Sequence, residues 1–338
     1  MPAYSIWRRL GLFALAVIAV STAAVAQQQV RLGGPGTPGG QRAAAKDMFA
    51  SPDAIARWIN GYRKKPQPNL LPQAVSAMVG FGIFKDADSS GLYLGFMAGV
   101  LGANPKLAPD LVAKMFPMPP EDHPAIIKAI AYSGLPDWKQ LLSRNAERMP
   151  ARAVLVDRYL TGKLPALDGL VLDAGPAPLD IMWGYWFATG SYDPIVRIVS
   201  ILKWSKDQNN VERLTIGSMA KWTLATNASR DMDLLQLLKG TTRHEAPDTR
   251  AILNEVIEAA DTAETGKIRK EALTAIETLK VKGPESSRRF SWWGQAGQTA
   301  LALGCIVAGA MGHVEVGIPC VVGGAVSGAA LKMLSPQP

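Results

Sequence analysis

Few residues in this sequence are spaced for chemistry, and every such group lacks a member. Asp86-Ala87-Asp88-Ser89-Ser90-Gly91 offers oxygen ligands at positions one, three and five of a calcium-binding loop and glycine at six. Met97 stands at position twelve, where a bidentate glutamate is required, and an acidic turn before a helix accounts for the same residues. Glu121-Asp122-His123 follows Pro119-Pro120 and suits the first turn of a helix, where acids meet the positive end of the dipole. As metal ligands these residues would need partners from elsewhere in the chain. His244-Glu245 lacks the second histidine of a zinc-protease helix. The acid–serine pair Glu285-Ser286 has no Gly-Leu-Met-Gln run beside it, and no Gly-x-Ser-x-Gly elbow occurs. The sequence therefore assigns no catalytic, cofactor-binding or metal-ligating residue, and the expectation is a protein that is not an enzyme and holds no cofactor.

Two further groups could bind or cross-link. Trp183, Tyr185 and Trp186, followed by Phe187, could line a ligand groove, although such clusters are more often core. Cys305 and Cys320 are the only cysteines and lie symmetrically about Gly312 and His313. In an oxidising compartment they could form a disulfide worth about 3 kcal/mol; the alternative is two small buried apolar residues.

The elements that position these groups are helical. Pro178 to Thr189 reads as a helix of large apolar residues, Gly190 to Asp193 as a turn, and a second helix opens with Pro194 at its first position. In that second helix Ile195, Val196, Ile198, Val199 and Leu202 share a face, so the pair should pack as a hairpin. Ser51-Pro52-Asp53 caps a helix carrying Ile55, Trp58, Ile59 and Tyr62, and the next runs from Leu70 to Phe84. Late helices carry Ile252, Leu253, Val256 and Ile257, then Ala272, Leu273, Ile276 and Leu279. No alternating β pattern occurs, so the fold class is all-α.

Composition limits the function classes. With 48% hydrophobic and 19% charged residues the chain is no disordered protein. Its net charge of +8 is spread among acids, and no basic run is interleaved with aromatics, which argues against a nucleic-acid partner and for a weak preference for anionic surfaces. Residues 1–26 have the parts of a secretory signal peptide: Arg8 and Arg9, an apolar core from Leu10 to Val20, and Ala24-Val25-Ala26 before Gln27. Residues 27–46 form a flexible Gly/Pro linker, 47–283 an all-helical body, and 284–338 a Gly-rich hydrophobic hairpin with a short tail.

The body carries an irregular repeat. A helix ending in glycine before a turn recurs at Gly102, Gly134, Gly162 and Gly190, spaced 32, 28 and 28, with Asn227 a fifth in which Asn serves as the left-handed cap. Helix pairs of this kind bury their apolar faces by stacking on neighbours into a solenoid. The hairpin from Trp183 to Ile201, with its aromatics and its Gly190-Ser191-Tyr192-Asp193 turn, resembles a tetratricopeptide-type helical repeat over roughly residues 90–240. The constant 34-residue period is absent, and the Trp, Leu-Gly and Pro set does not recur. What the resemblance implies is a protein-binding or scaffolding role on a concave surface.

At the C-terminus, residues 292–334 form two Gly/Ala/Val arms around a turn at His313 to Glu315. Gly304, Ala308 and Gly312 are four apart, as are Gly324 and Gly328, a spacing that lets helix backbones approach closely in lipid. A membrane-associated hairpin is one reading and a packed cap on the body is the other. The expected function is an exported, periplasmic adaptor that binds a protein or peptide, anchored to lipid through residues 292–334. The alternatives are a periplasmic enzyme with its site in the solenoid's concavity, and a protein whose hairpin perturbs a target membrane.

Overall fold

The computed structural model describes residues 48–85, 90–263 and 265–283. Outside the described residues lie segments 1–26 and 27–46, the calcium-loop match at 86–89, and everything from residue 284 on. The last includes Glu285, Ser286, Gly304, Cys305, Ala308, Gly312, His313, Cys320, Gly324 and Gly328.

Local signals place the elements. Ser51 Oγ accepts from the Ala54 amide at 3.1 Å and Pro52 opens α1 (Pro52–Tyr62), which buries Ile55, Ile59 and Tyr62. After α2 (Leu71–Gly80) come α3 (Gly91–Ala103), α4 (Ala108–Lys114), α5 (His123–Ala131), α6 (Trp138–Asn145) and α7 (Ala153–Leu160). Then follow α8 (Ala177–Thr189), α9 (Tyr192–Ser200), α10 (Val211–Ala228), α11 (Met232–Thr241), α12 (Pro247–Asp261) and α13 (Gly266–Lys282). These thirteen helices are accompanied by no strand among the described residues, so the all-α class holds.

The expected hairpin is α8 and α9. Gly190 ends α8 in the left-handed region at φ +67°, its amide donating to Trp186 O at 2.7 Å. The second helix begins two residues earlier than expected, so Pro194 is its third residue rather than its first. Gly134 (φ +72°) and Gly162 (φ +75°) also take the left-handed turn, so three of the recurring positions are alike. Two are not. Gly102 lies inside α3, where a Cβ would come 2.0 Å from Ser133 O, so that glycine serves packing rather than a turn. Asn227 is helical within α10, and its side-chain amide donates to Thr223 O at 2.8 Å. After Gly162 the chain forms two single 3₁₀ turns, Leu167–Gly169 and Leu172–Ala174, where the repeat would have placed a helix.

The dominant packing joins α3 to α8 across 73 intervening residues, a departure from the neighbour-only stacking of a solenoid. A Cβ on Gly91 would meet Asp180 Cβ at 2.7 Å, one on Gly95 would lie 2.0 Å from Ile181 O, and one on Gly99 would meet Ala188 Cβ at 2.6 Å. The numbers rise together, so the two helices run parallel. Gly184 answers from the other side, with Leu92 O at 2.0 Å from its notional Cβ. Backbone contact this close needs glycine, and it buries α3 on every side from Gly91 to Leu101. A second centre forms where α10 packs on α12, on α13 and on the 3₁₀ turn Leu202–Lys206.

Candidate functional site: charged groups inside the helical body

Of the candidate groove aromatics, Trp183 and Trp186 are buried in the core, the commoner of the two readings, and Tyr185 is half-buried. Trp183 is fully buried and its indole N–H donates to Thr223 Oγ1 at 3.1 Å. Trp186 is buried beneath the Arg63 guanidinium, 4.5 Å from its ring. Tyr185 is half-buried and its hydroxyl donates to Ser133 O at 3.1 Å, between Gly102 and Gly134. All three sit on α8, whose partner α3 presses against it, so an aromatic run that could face a ligand instead fills the core.

The chemistry-bearing groups of this body are isolated charges held between helices. Asp180 lies in the first turn of α8 beside Gly91, at the end where the parallel α3 also begins. Its carboxyl is buried, Oδ1 has no hydrogen-bond partner, and burial holds its pKa well above the usual carboxylate range. Two helix N-termini at the same end supply partial positive charge near it. The sequence signal was present, since Asp180 is the one acid in an otherwise apolar run from Pro176 to Ala188.

Lys221 is the second such group. Only 1% of its side chain is exposed, and its ammonium donates to Glu255 Oε2 at 2.5 Å and to Glu271 Oε2 at 2.7 Å. Lys206 lies 3.8 Å from Glu255 Oε1. Burial pushes the Glu255 carboxyl up, but the hydrogen bond and charge of Lys221, with Lys206 and Lys267, outweigh it and leave the pKa below its ordinary value. An ammonium between two carboxylates cannot accept a proton as a base; it joins α10 to α12 and α13. Ser205, whose buried Oγ has no partner, sits in the turn that packs on Gly217, one helical turn before Lys221.

Asp122 and His123, singled out by residue type, are both buried at the start of α5. The His123 Nε2–H donates to Met118 O at 3.1 Å, and Nδ1 has no hydrogen-bond partner. Asp122 Oδ1 is also unpartnered, and burial, then Glu121, raise its pKa against the opposing charges of Lys85 and His123. Among the described residues, no three His, Cys, Asp or Glu side chains converge as a metal site. His244 is exposed in a single 3₁₀ turn far along the chain and joins neither group.

Among the described residues, no helix is long and apolar enough to cross a membrane. Compared with protein-family models, curated proteins and solved structures, the chain matches none.

Proposed function

We propose that this chain is an exported envelope protein whose helical body is a rigid adaptor for a protein or peptide, tethered to a membrane through residues 292–334. The observation that supports a binding body over a catalytic one is where its charges go. Arg63 pairs with Asp231, Lys221 with Glu255 and Glu271, and Arg213 with Asp173, each across at least 34 residues of chain. These charged groups join distant helices, which stiffens the body and suits a preorganised surface. What supports the tetratricopeptide-like part of this reading is the left-handed turn shared by Gly134, Gly162 and Gly190.

Fractionation tests the tether. Cells expressing the full chain, or a version ending at Gly283, are separated into soluble and membrane fractions and the membranes are washed with carbonate. The full chain should resist extraction while the shorter one leaves with the soluble fraction; full extraction of both would remove the anchor from the proposal. The adaptor role requires that cross-linking in the same cells yields one reproducible partner, and a chain that cross-links only to itself would count against it.

A further inference from the structure

The stretch from Lys139 to Lys163 is basic along its length. These 25 residues hold six basic side chains, Lys139, Arg144, Arg148, Arg152, Arg158 and Lys163, against two acids, Glu147 and Asp157, a local net of +4 in a chain whose whole excess is +8. The buried positions are Leu141, Leu142, Asn145, Met149, Val156 and Tyr159, all turned to the core. Every basic residue of the strip is exposed except Arg152, which is half-exposed. Arg148 and Arg152 are fixed in place, the first donating to Ala113 O at 3.3 Å and the second to Pro120 O at 3.1 Å.

The same strip carries apolar side chains in water. Val154 is 77% exposed, and Pro150, Ala151 and Ala153 beside it are exposed as well. At the strip's start Trp138 is half-buried with the Lys139 ammonium 5.7 Å over its ring. Small apolar groups between arginines offer little to a protein partner, which would be expected to seat a large anchor in a pocket. They match a bilayer surface, where basic side chains reach anionic headgroups and apolar ones dip below them.

We infer that the strip from Lys139 to Lys163 docks on the anionic phospholipid headgroups of a bilayer. The inference rests on the membrane reading above and adds to it a contact made by the body itself, one that depends on charge as the apolar arms do not.

Co-sedimentation of the full chain with vesicles tests it. Vesicles of phosphatidylcholine alone are compared with vesicles that also contain phosphatidylglycerol, at low and high salt. The wild type should prefer the phosphatidylglycerol vesicles and lose that preference as salt rises. The variant Arg144→Glu/Val154→Asp/Arg158→Glu should bind them roughly tenfold or more weakly while keeping its binding to phosphatidylcholine. Arg144→Gln/Arg158→Gln is the gentler pair should the triple variant not fold, and it should give a smaller loss in the same direction. Unchanged binding by a folded variant overturns the inference, as does a wild type indifferent to phosphatidylglycerol. In the second case binding to both vesicle types leaves the membrane reading standing, and binding to neither removes both. Loss of an acidic protein partner with vesicle binding intact also overturns it.

Discussion

Arg63, just past the end of α1, and Asp231, the cap of α11, form an ion pair across 168 residues of chain. Asp231 uses its other oxygen to accept from the amides of Asp233 and Leu234, so one carboxylate both starts a helix and ties it to the N-terminal end of the body. Gly190 presses on the same arginine, its notional Cβ 2.8 Å from Arg63 Cδ, and Trp186 lies beneath the guanidinium. Asp231→Ala should cost about 2–3 kcal/mol, since cap and ion pair are lost together, while Asp231→Asn keeps the cap and should cost about 1 kcal/mol. Urea unfolding of the two variants checks the difference; equal losses would show that the cap contributes nothing beyond the ion pair.

The glycines of α3 and α8 give a sharper contrast. Gly95→Ala and Gly184→Ala each drive a methyl to 2.0 Å from a backbone carbonyl, so the helices must part, at a cost of about 3 kcal/mol or more. Gly61 and Gly240 have nothing within 4 Å of a new Cβ, and alanine at either should stabilise by about 0.5–1 kcal/mol through helix propensity. Thermal unfolding of the four single variants would reveal the opposite signs.

Asp180 sets an alkaline-side dependence. Burial raises its carboxyl in the folded state, so the folded protein holds that proton more tightly than the unfolded chain does. Its contribution to stability is full below the unfolded carboxyl's value, about 4, falls as pH rises through the raised folded value, and is level above it. Asp180→Asn should flatten this decline and leave the protein more stable at alkaline pH. Urea midpoints across pH test it, and an identical slope in the variant would mean that Asp180 is not the group responsible.

Lys221 acts on the acid side. The Glu255 carboxyl is lower in the folded state than in the unfolded chain, so its pairing stabilises above the ordinary glutamate range and is lost as pH falls through the lowered value. Lys221→Met keeps the volume and returns two carboxylates, 46% and 40% exposed, to water, so it should cost no more than about 1–2 kcal/mol and remove this acid-side slope. Lys221→Ala adds a cavity and should cost about 2–3 kcal/mol more. The two unfolding curves, taken at neutral and acid pH, separate charge from packing.

The elements readable in the sequence were those with a stripe or a cap. Ser51 and its proline announce α1, and Ile252, Leu253 and Val256 mark the buried face of α12. Gly134, Gly162 and Gly190 were found because a left-handed turn demands glycine where the helix stops. Gly102 also stands at the end of an apolar helix but has a different cause, close approach of another backbone, which local pattern does not distinguish. The α3–α8 pairing was hidden for a related reason: a helix buried on every side has no apolar stripe to point at its partner. The aromatics of α8 left core and groove both open, because type alone does not say whether a tryptophan meets ligand or core. Lys221 and Asp180 were missed because a single charge in an apolar helix has no motif, although its oddity was in plain sight.

The parallel pairing of α3 with α8 also imposes an order of events on synthesis. The chain is made from its N-terminus, so α3 is complete 86 residues before the last residue of α8 exists. At ordinary elongation rates that interval is on the order of ten seconds. Throughout it, α1 and α5 can cover part of α3, as where Phe96 meets Trp58 and Tyr62, but the glycine-notched side that α8 fits stays open. The stretch from Gly91 to Leu101 is thus made long before the backbone it fits, and the notches at Gly91, Gly95 and Gly99 wait for α8 to fill them.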